Sequence, residues 1–453
     1  MGILKDDKIE SLAQSLPVPL YIVGGYVRNF LTGGIISKDI DLAAGVLAAD
    51  IKPHIIKAGF RITGEYARTG TVLFTDGIGK YEFTSFREES YPPGGGHFPE
   101  TVAFTEDILK DALRRDFKCN AVYYDIKNQR FIDPLDGKKD IENKTLTTVT
   151  DSEKVFSHDG LRLMRLARLS GELGFSPSPD TLEAAEKHSK NIRDISPERI
   201  YAELLKILSS DSAYSFSDRI GHYTALEILN ATRVLDEIFF ELSLGRNMPQ
   251  PKKYHDYDVL EHSLRAVLYA PEEVRLAALF HDVGKPERML SCGNFYSHEI
   301  SGAAIAEKIL SRLKAPKSVI KQTVRLIKLH MADLDGNMRE SKVRKIIIEN
   351  VDVFRKLMSL KQADFSACKD NTEKCPTVLK WENVYARMRT DGTPFSVKEL
   401  KICASDLIRI GFSGKAVGKE LDKLLSQAVA EPRLNERARL LEIAVSDYAE
   451  SKN

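Results

Sequence analysis

The sequence predicts an α+β chain, with a mixed α/β module at the N-terminal end and helices alone after it. Two observations carry this. Short β-rich runs bounded by Gly, Asp or Pro (LYIVGGY, KDIDLAAG, GTVLFTD, KYEFTSF, NAVYYDI and RFIDP) all fall before residue 142. After Thr150 almost every segment repeats apolar residues at spacings of three and four, as in DGLRLMRLARLSGELGF, SPERIYAELLKILSS and GKELDKLLSQAV. Length adds a third: 453 residues exceed what one core organises, at roughly 100–200 residues per domain. The expected division is a head at 1–142, a helical neck at 143–210, a helical body at 211–370 and a helical tail at 371–453. The stretches 248–258 and 368–383 are the linker-like breaks.

Composition narrows the class. Hydrophobic residues at 43% and charged residues at 29% describe a folded chain rather than a disordered one. The formal net charge of +1 gives no global attraction for nucleic acid, although a basic face would suffice for binding. Lys5 and Asp6 come too early for a secretory signal, and no apolar run reaches the roughly 18 residues that a membrane helix needs. Five scattered cysteines (Cys119, Cys292, Cys368, Cys375, Cys403) form no CxxC pair. The expectation is a cytoplasmic protein with reduced thiols and no membrane partner; oligomeric state is not legible.

Taken in order, the first chemistry-bearing segment is the apolar run Leu20–Val23, followed by Gly24-Gly25 and then Arg28. Without a Cβ, the two glycines let the backbone approach a phosphate closely, and Arg28 can neutralise one. Asp39-Ile40-Asp41 follows. On a strand, residues two apart share a face, so Asp39 and Asp41 project together. Two crowded carboxylates call for a cation between them, and Mg²⁺ with phosphate oxygens suits that arrangement. Glu82 in KYEFTSFRE is the candidate third carboxylate. Further on come RRDFKCNA (114–121), DPLDGKKDI (133–141), HDGLRLMRLARLSGELGF (158–175) and ISPERI (195–200). Each of these alone is an ordinary surface or helix feature, since short motifs have a high false-positive rate.

Their order is specific. VGGYVRN, DID, TSFREE, RRDFKCNA, DPLDGKKDI, HDGLRLMRLARLSGELGF and ISPERI resemble, densely over about residues 18–210, the class II tRNA nucleotidyltransferase and poly(A) polymerase family. The family's forms are GGxVRD, DxD, TxFR, RRDFTINA, DPxxGxxD, EDxxRxLRAxRFAxxLGF and ISxERI. The tail at 400–445 also resembles the family's C-terminal element. The resemblance implies a polymerase-beta-like head that adds or repairs the CCA end of tRNA from CTP and ATP. Asp39 and Asp41 would hold two Mg²⁺ ions, with Glu82 as the third catalytic carboxylate. Gly24, Gly25, Arg28, Arg115, Asp116, Asp159, Arg162, Arg165 and Arg168 would bind nucleotide, with Arg115 at phosphate and Asp116 at the ribose 2′-hydroxyl. Asp159 and Arg162 would serve as an amino-acid template that reads C and A, because a mispaired base leaves buried polar groups unsatisfied at about 1–3 kcal/mol each. Three departures bear on nucleotide choice. Asn29 and His158 replace acidic residues of the family pattern, and the loop 90–102 keeps only His97 and Pro99 as suggestive residues. The rivals are a CC-only or A-only enzyme and a poly(A) polymerase; the segment ARTGTVLFTD lacks the basic stretch that marks bacterial polymerases of that kind.

A second constellation lies in the body. His262, His281-Asp282, His298, His330 and Asp364 occur in the order H…HD…H…H…D. One histidine on an apolar helix is ordinarily a core residue. The full set resembles the HD phosphohydrolase family, and it implies an HD module at about 245–370 in which a divalent metal activates water against a phosphate ester. It also supplies a rival from another class, an HD phosphohydrolase whose head merely binds RNA.

Overall fold

The protein is described here from a computed structural model, which covers residues 6–33, 39–92, 99–213 and 220–451. The chain forms two compact units: Met1–Leu244 with Ile309–Ala315, and Gly245–Lys308 with Pro316–Asn453.

The first unit opens on a head built around a seven-stranded mixed sheet. Its strands are β1 (Tyr21–Val23), β2 (Asp39–Ala44), β3 (Arg61–Tyr66), β4 (Thr71–Thr75), β5 (Lys80–Ser85), β8 (Tyr123–Asp125) and β9 (Arg130–Ile132). The spatial order is β3-β4-β5-β2-β1-β8-β9. Only β2 and β5 run parallel, a pairing that requires a crossover, here the helix Ala48–Lys57 followed by β3 and β4. That helix and Asp7–Ser15 cover an apolar core including Ile22, Leu42, Phe74 and Phe83. A separate hairpin, β6 (Arg87–Ser90) with β7 (Thr101–Phe104), stands beside the sheet.

Every β-rich run read from sequence holds a strand. Within the head, three strands were not legible: β3, with Gly64 at a register shift, and the polar pair β6 and β7, whose residues carry little apolar alternation.

Helices follow the head: Ser152–His158, Leu161–Leu173, Pro179–Lys187, Pro197–Leu208 and Gly221–Ala231. Pro179 and Pro197 occupy the first helical turn, where the missing N–H costs nothing. Leu161–Leu173 and Gly221–Ala231 cross with backbones touching: a Cβ on Gly171 would stand 2.2 Å from the Gly221 carbonyl oxygen, and one on Gly221 equally close to that of Gly171. This contact draws the segment after residue 220 onto the neck helices, so the first unit runs to Leu244 where the sequence placed a boundary at 210.

The second unit holds the helices Val259–Tyr269, Arg275–Phe280, Lys285–Cys292, Lys317–Leu329 and Phe354–Ala367, with the start of His298–Arg312. Its C-terminal part, including Ala404–Ile410, Lys415–Ala430 and Arg437–Glu450, closes on its own cluster of Leu407, Leu424 and Leu440.

Candidate active sites

In the head, β1 ends at Val23 and the chain turns through Gly24 at φ 79°, ψ −142°, into the helix Gly25–Thr32. That backbone region is open essentially to glycine alone. Space demands it too, since a Cβ on Gly24 would stand 3.1 Å from Asp41 Oδ2. The β2 register places Asp41 opposite Val23 on one side and opposite Glu82 on the other. Asp39, Asp41 and Glu82 are all on the open face, where their strands alternate exposed and buried residues. Three carboxylates therefore converge beside the amide-bearing end of a helix. Crowding by protein raises the Asp41 carboxyl above its ordinary range, and Asp39 adds to this; Arg115, Arg165 and Arg28 pull the other way. Desolvation raises Glu82 as well, with Asp41 second. Such a set is suited to a bound divalent cation.

The arginines around this face are held by specific partners. Arg28, 3% exposed, donates to Asn29 Oδ1 from Nε at 3.1 Å and Nη2 at 2.9 Å, and to Asn120 Oδ1 from Nη1 at 2.6 Å. Asn29 thus accepts through an uncharged amide oxygen where the family pattern has a carboxylate. Arg115 donates to Asp111 Oδ2 (3.0 Å from Nη2) and to the Tyr123 hydroxyl (3.0 Å from Nε). Burial alone would raise the Asp111 carboxyl, but Arg115 and Arg114 hold it well below the carboxylate range. Asp116 accepts four hydrogen bonds: from Arg165 Nε at 2.8 Å and Nη2 at 2.5 Å, from the Phe117 amide at 2.8 Å and from Asn120 Nδ2 at 3.0 Å. Against burial, Arg165 and then Asn120 push its pKa far down.

On the neck, Asp159 Oδ1 accepts from the Leu161 amide at 2.9 Å, which starts the helix carrying Arg162. Arg162 Nη2 donates to the Arg114 carbonyl at 2.7 Å. Arg168 is tied to Glu203 Oε2 at 2.7 Å and to both Glu172 oxygens at 3.0 Å. His158 stacks on Tyr91, centroids 4.8 Å apart at 17°, and burial with Arg162 and Lys154 lowers its pKa, keeping it neutral. Pro99 accepts from Arg68 through its carbonyl; His97 lies outside the described residues.

In the second unit, His262, His281, Asp282, His298, His330 and Asp364 come together in one buried cluster. His262 Nε2 is 3.2 Å from His281 Nε2, 3.1 Å from Asp364 Oδ1 and 3.3 Å from Asp282 Oδ2. On the far side, Asp282 Oδ1 is 3.0 Å from His298 Nε2 and 3.7 Å from His330 Nε2, and those two nitrogens are 3.3 Å apart. Asp282 therefore bridges two groups: His262, His281 and Asp364 at one oxygen, His298 and His330 at the other. The Nδ1 atoms of His281, His298 and His330 lie 2.7, 2.7 and 2.6 Å from the carbonyls of Ala278, Phe295 and Ile327. A carbonyl only accepts, so Nδ1 carries the proton and the Nε2 lone pair is free to ligate. Lone pairs facing one another at these distances need a shared proton or a cation, so the residues fit a divalent metal; Asp282 and Asp364 raise the His281 imidazole against its desolvation, a measure of how strongly this site favours positive charge.

The close approach of the helix His298–Arg312 rests on Gly284, where a Cβ would stand 2.3 Å from the His298 carbonyl oxygen. Lys285 donates to Gln250 Oε1 at 2.7 Å and lies 2.5 Å from Asp282 Oδ2, and Lys361 caps the His330 and Ala332 carbonyls at 2.7 Å each.

Comparison with known proteins follows the same division. Residues 20–147 match the family model of the poly A polymerase head domain, 174–235 that of the probable RNA and SrmB-binding site of polymerase A, and 258–356 the HD domain. A CCA-adding enzyme of Bacillus pumilus is 35% identical over 253 residues, 55% of this chain and 58% of that enzyme. A multifunctional CCA protein of Hahella chejuensis is 30% identical over 313 residues, 66% of this chain and 68% of the relative. The chain belongs to the CCA-adding enzyme family. The solved Bacillus stearothermophilus CCA-adding enzyme in complex with CTP shares its fold at a TM-score of 0.68, with 23% identity and 99% of both chains covered. The Thermotoga maritima CCA-adding enzyme complexed with tRNA does so at 0.64, with 17% identity over 97% of this chain and 94% of that one.

For this member of the CCA-adding family, the head brings Gly24, Gly25, Asp39, Asp41 and Glu82 to one place, with Arg28, Arg115 and Arg165 acting electrostatically on Asp41. Arg168 turns instead to two glutamates. Sequence reasoning missed Asp111, Asn120, His255, Lys285, Lys361 and Cys368. Lys285, Asp111, Asn120 and Cys368 each stand three or four residues from Asp282, Arg115, Asp116 and Asp364 and so had a local signal; Lys361 reaches the His330 carbonyl, and His255 the His262 ring, through the fold. Among the described residues, no helix is long and apolar enough to cross a membrane.

Proposed function

We propose that this chain adds or repairs the 3′-terminal CCA of tRNA, transferring CMP and AMP from CTP and ATP and releasing pyrophosphate. The observation that carries this is the register of Asp41 between Val23 and Glu82, which sets three carboxylates against the Gly24 turn. Asp39 and Asp41, with Glu82 beside them, would hold Mg²⁺, which would neutralise the triphosphate and acidify the RNA 3′-hydroxyl. The amides at the start of Gly25–Thr32 cradle phosphate, and Arg28 adds a buried positive charge held in place by the Asn29 and Asn120 side-chain oxygens. Asp159 and Arg162 present an acceptor and a donor to the base edge. Asp116 is a positioning residue that aims Arg165, and Arg168 positions the same helix through Glu172 and Glu203. The tail at 371–453 would contact tRNA, and the five unpaired cysteines fit a cytosolic setting.

The test is incorporation of each labelled nucleotide, with Mg²⁺, into tRNA transcripts ending at the discriminator base, at C or at CC. Addition of C, C and A followed by a stop is the expected result. Partial addition would indicate a CC- or A-specialist, a long A-tail a polymerase, and no incorporation an RNA-binding head. Asp39→Ala with Asp41→Ala should abolish incorporation, and Asp159→Ala should disturb the C/A choice.

A second activity is favoured by the bridged carboxylate of Asp282. The HD cluster would hold divalent metal and hydrolyse phosphate esters at RNA 3′ ends, clearing blocked ends for nucleotide addition.

A further inference from the structure

Three of the four HD imidazoles are anchored through Nδ1 to a carbonyl three residues back; His262 is not. Its Nδ1 is buried and has no partner, in a side chain with no exposed surface. Beside it stands His255, rings edge-on with centroids 4.7 Å apart, and the His255 Nδ1 is buried and partnerless as well. Cys368, one turn beyond Asp364 on the same helix, completes the group: ligand atoms of His255, His262 and Cys368 all lie within 4.8 Å of one another. Orphaned buried nitrogens are rare in folded proteins and point to a missing water or ion.

We propose that His255, His262 and Cys368 form a further metal position, distinct from the two groups bridged by Asp282, for a borderline-soft divalent ion of the zinc, cobalt or nickel class. A thiolate with two imidazoles selects such ions over magnesium or calcium, which take oxygen ligands. Bond lengths of about 2.0–2.3 Å require the three atoms to draw together by less than a typical side-chain shift. His255 can supply it, since it lies on the partly exposed loop before Val259–Tyr269. His262 then belongs to both groups, its Nε2 standing 3.1 Å from Asp364 Oδ1, so an ion in one place fixes the ring for the other. The inference concerns binding and stands whether or not the HD cluster hydrolyses phosphate esters.

The experiment is titration of the metal-free, reduced full chain with cobalt(II), read by optical absorption and by metal content. The expected result is a thiolate-to-cobalt charge-transfer band that Cys368→Ser and His255→Gln both remove, each binding one ion fewer per chain. His298→Ala, in the other group, and Cys292→Ser, at an exposed thiol, should keep the band. Circular dichroism melts of each variant separate ligand loss from unfolding. Cobalt binding without a thiolate band in the unaltered chain, a band that survives Cys368→Ser, or no cobalt binding would each overturn the proposal.

Discussion

The Asp116–Arg165 pair tests the proposal that Arg165 meets the nucleotide while Asp116 only places it. Replacing Asp116 with Asn keeps the side chain's shape and one acceptor oxygen, which can still serve the Phe117 amide, as Oδ1 does at 2.8 Å. The new NH₂ group would face Arg165 Nε and Nη2, now bound at 2.8 and 2.5 Å, so both of those bonds are lost. Hydrogen bonds to charged groups contribute about 1.5–3 kcal/mol each. Arg165 keeps 35% side-chain exposure and can rehydrate, so a total of about 2–4 kcal/mol is expected rather than the full sum. For a unit of this size that lowers the Tm by roughly 5–12 °C. The assay is thermal melting beside steady-state kinetics with CTP and ATP. Released Arg165 should weaken turnover of both nucleotides alike, with the C/A preference unchanged. An unchanged Tm with collapse of kcat, or a loss confined to one nucleotide, would refute the reasoning and place Asp116 against the substrate.

Gly24→Ala forces a Cβ into a glycine-only backbone region and against Asp41, at a strain of about 1–3 kcal/mol; incorporation should fall by about a hundredfold with tRNA binding intact in a gel-shift assay. Asp282→Asn neutralises the carboxylate shared by both metal groups. It should abolish phosphoesterase turnover while nucleotide incorporation is unchanged, and loss of both activities would contradict separate sites. Asp111 and Asp116 have depressed carboxyl pKa values in the folded state, so they add stability above the unfolded value of about 3.9 and lose it as pH falls below that. Melting followed from pH 6 downward should therefore show a decline steepening below about pH 4, shallower in Asp116→Asn.

The division into a mixed head and a helical remainder was legible because strand and helix periodicities are local properties of the chain. Alternation in DIDLAA and the three-and-four spacing in LRLMRLARLSGEL report one buried face each, whatever that face packs against. The same locality explains why Asp39 and Asp41 could be placed side by side, and why the polar hairpin β6–β7 was invisible. The order of motifs then carried the family, and with it the candidate site residues.

What sequence could not supply is everything that depends on partners far along the chain. Asp41 meets Glu82 only because β2 and β5 pair in parallel in one register, and a slip of one residue would turn either carboxylate into the core. Asp116 engages Arg165 across 49 positions and His262 meets Asp364 across 102. No local signal encodes those distances. By itself, the sequence determined which chemistries the chain carries and on which elements they ride. The tertiary structure decided which groups are saturated by neighbours and which stay open to a ligand, because hydrogen-bond capacity is spent only when distant segments meet.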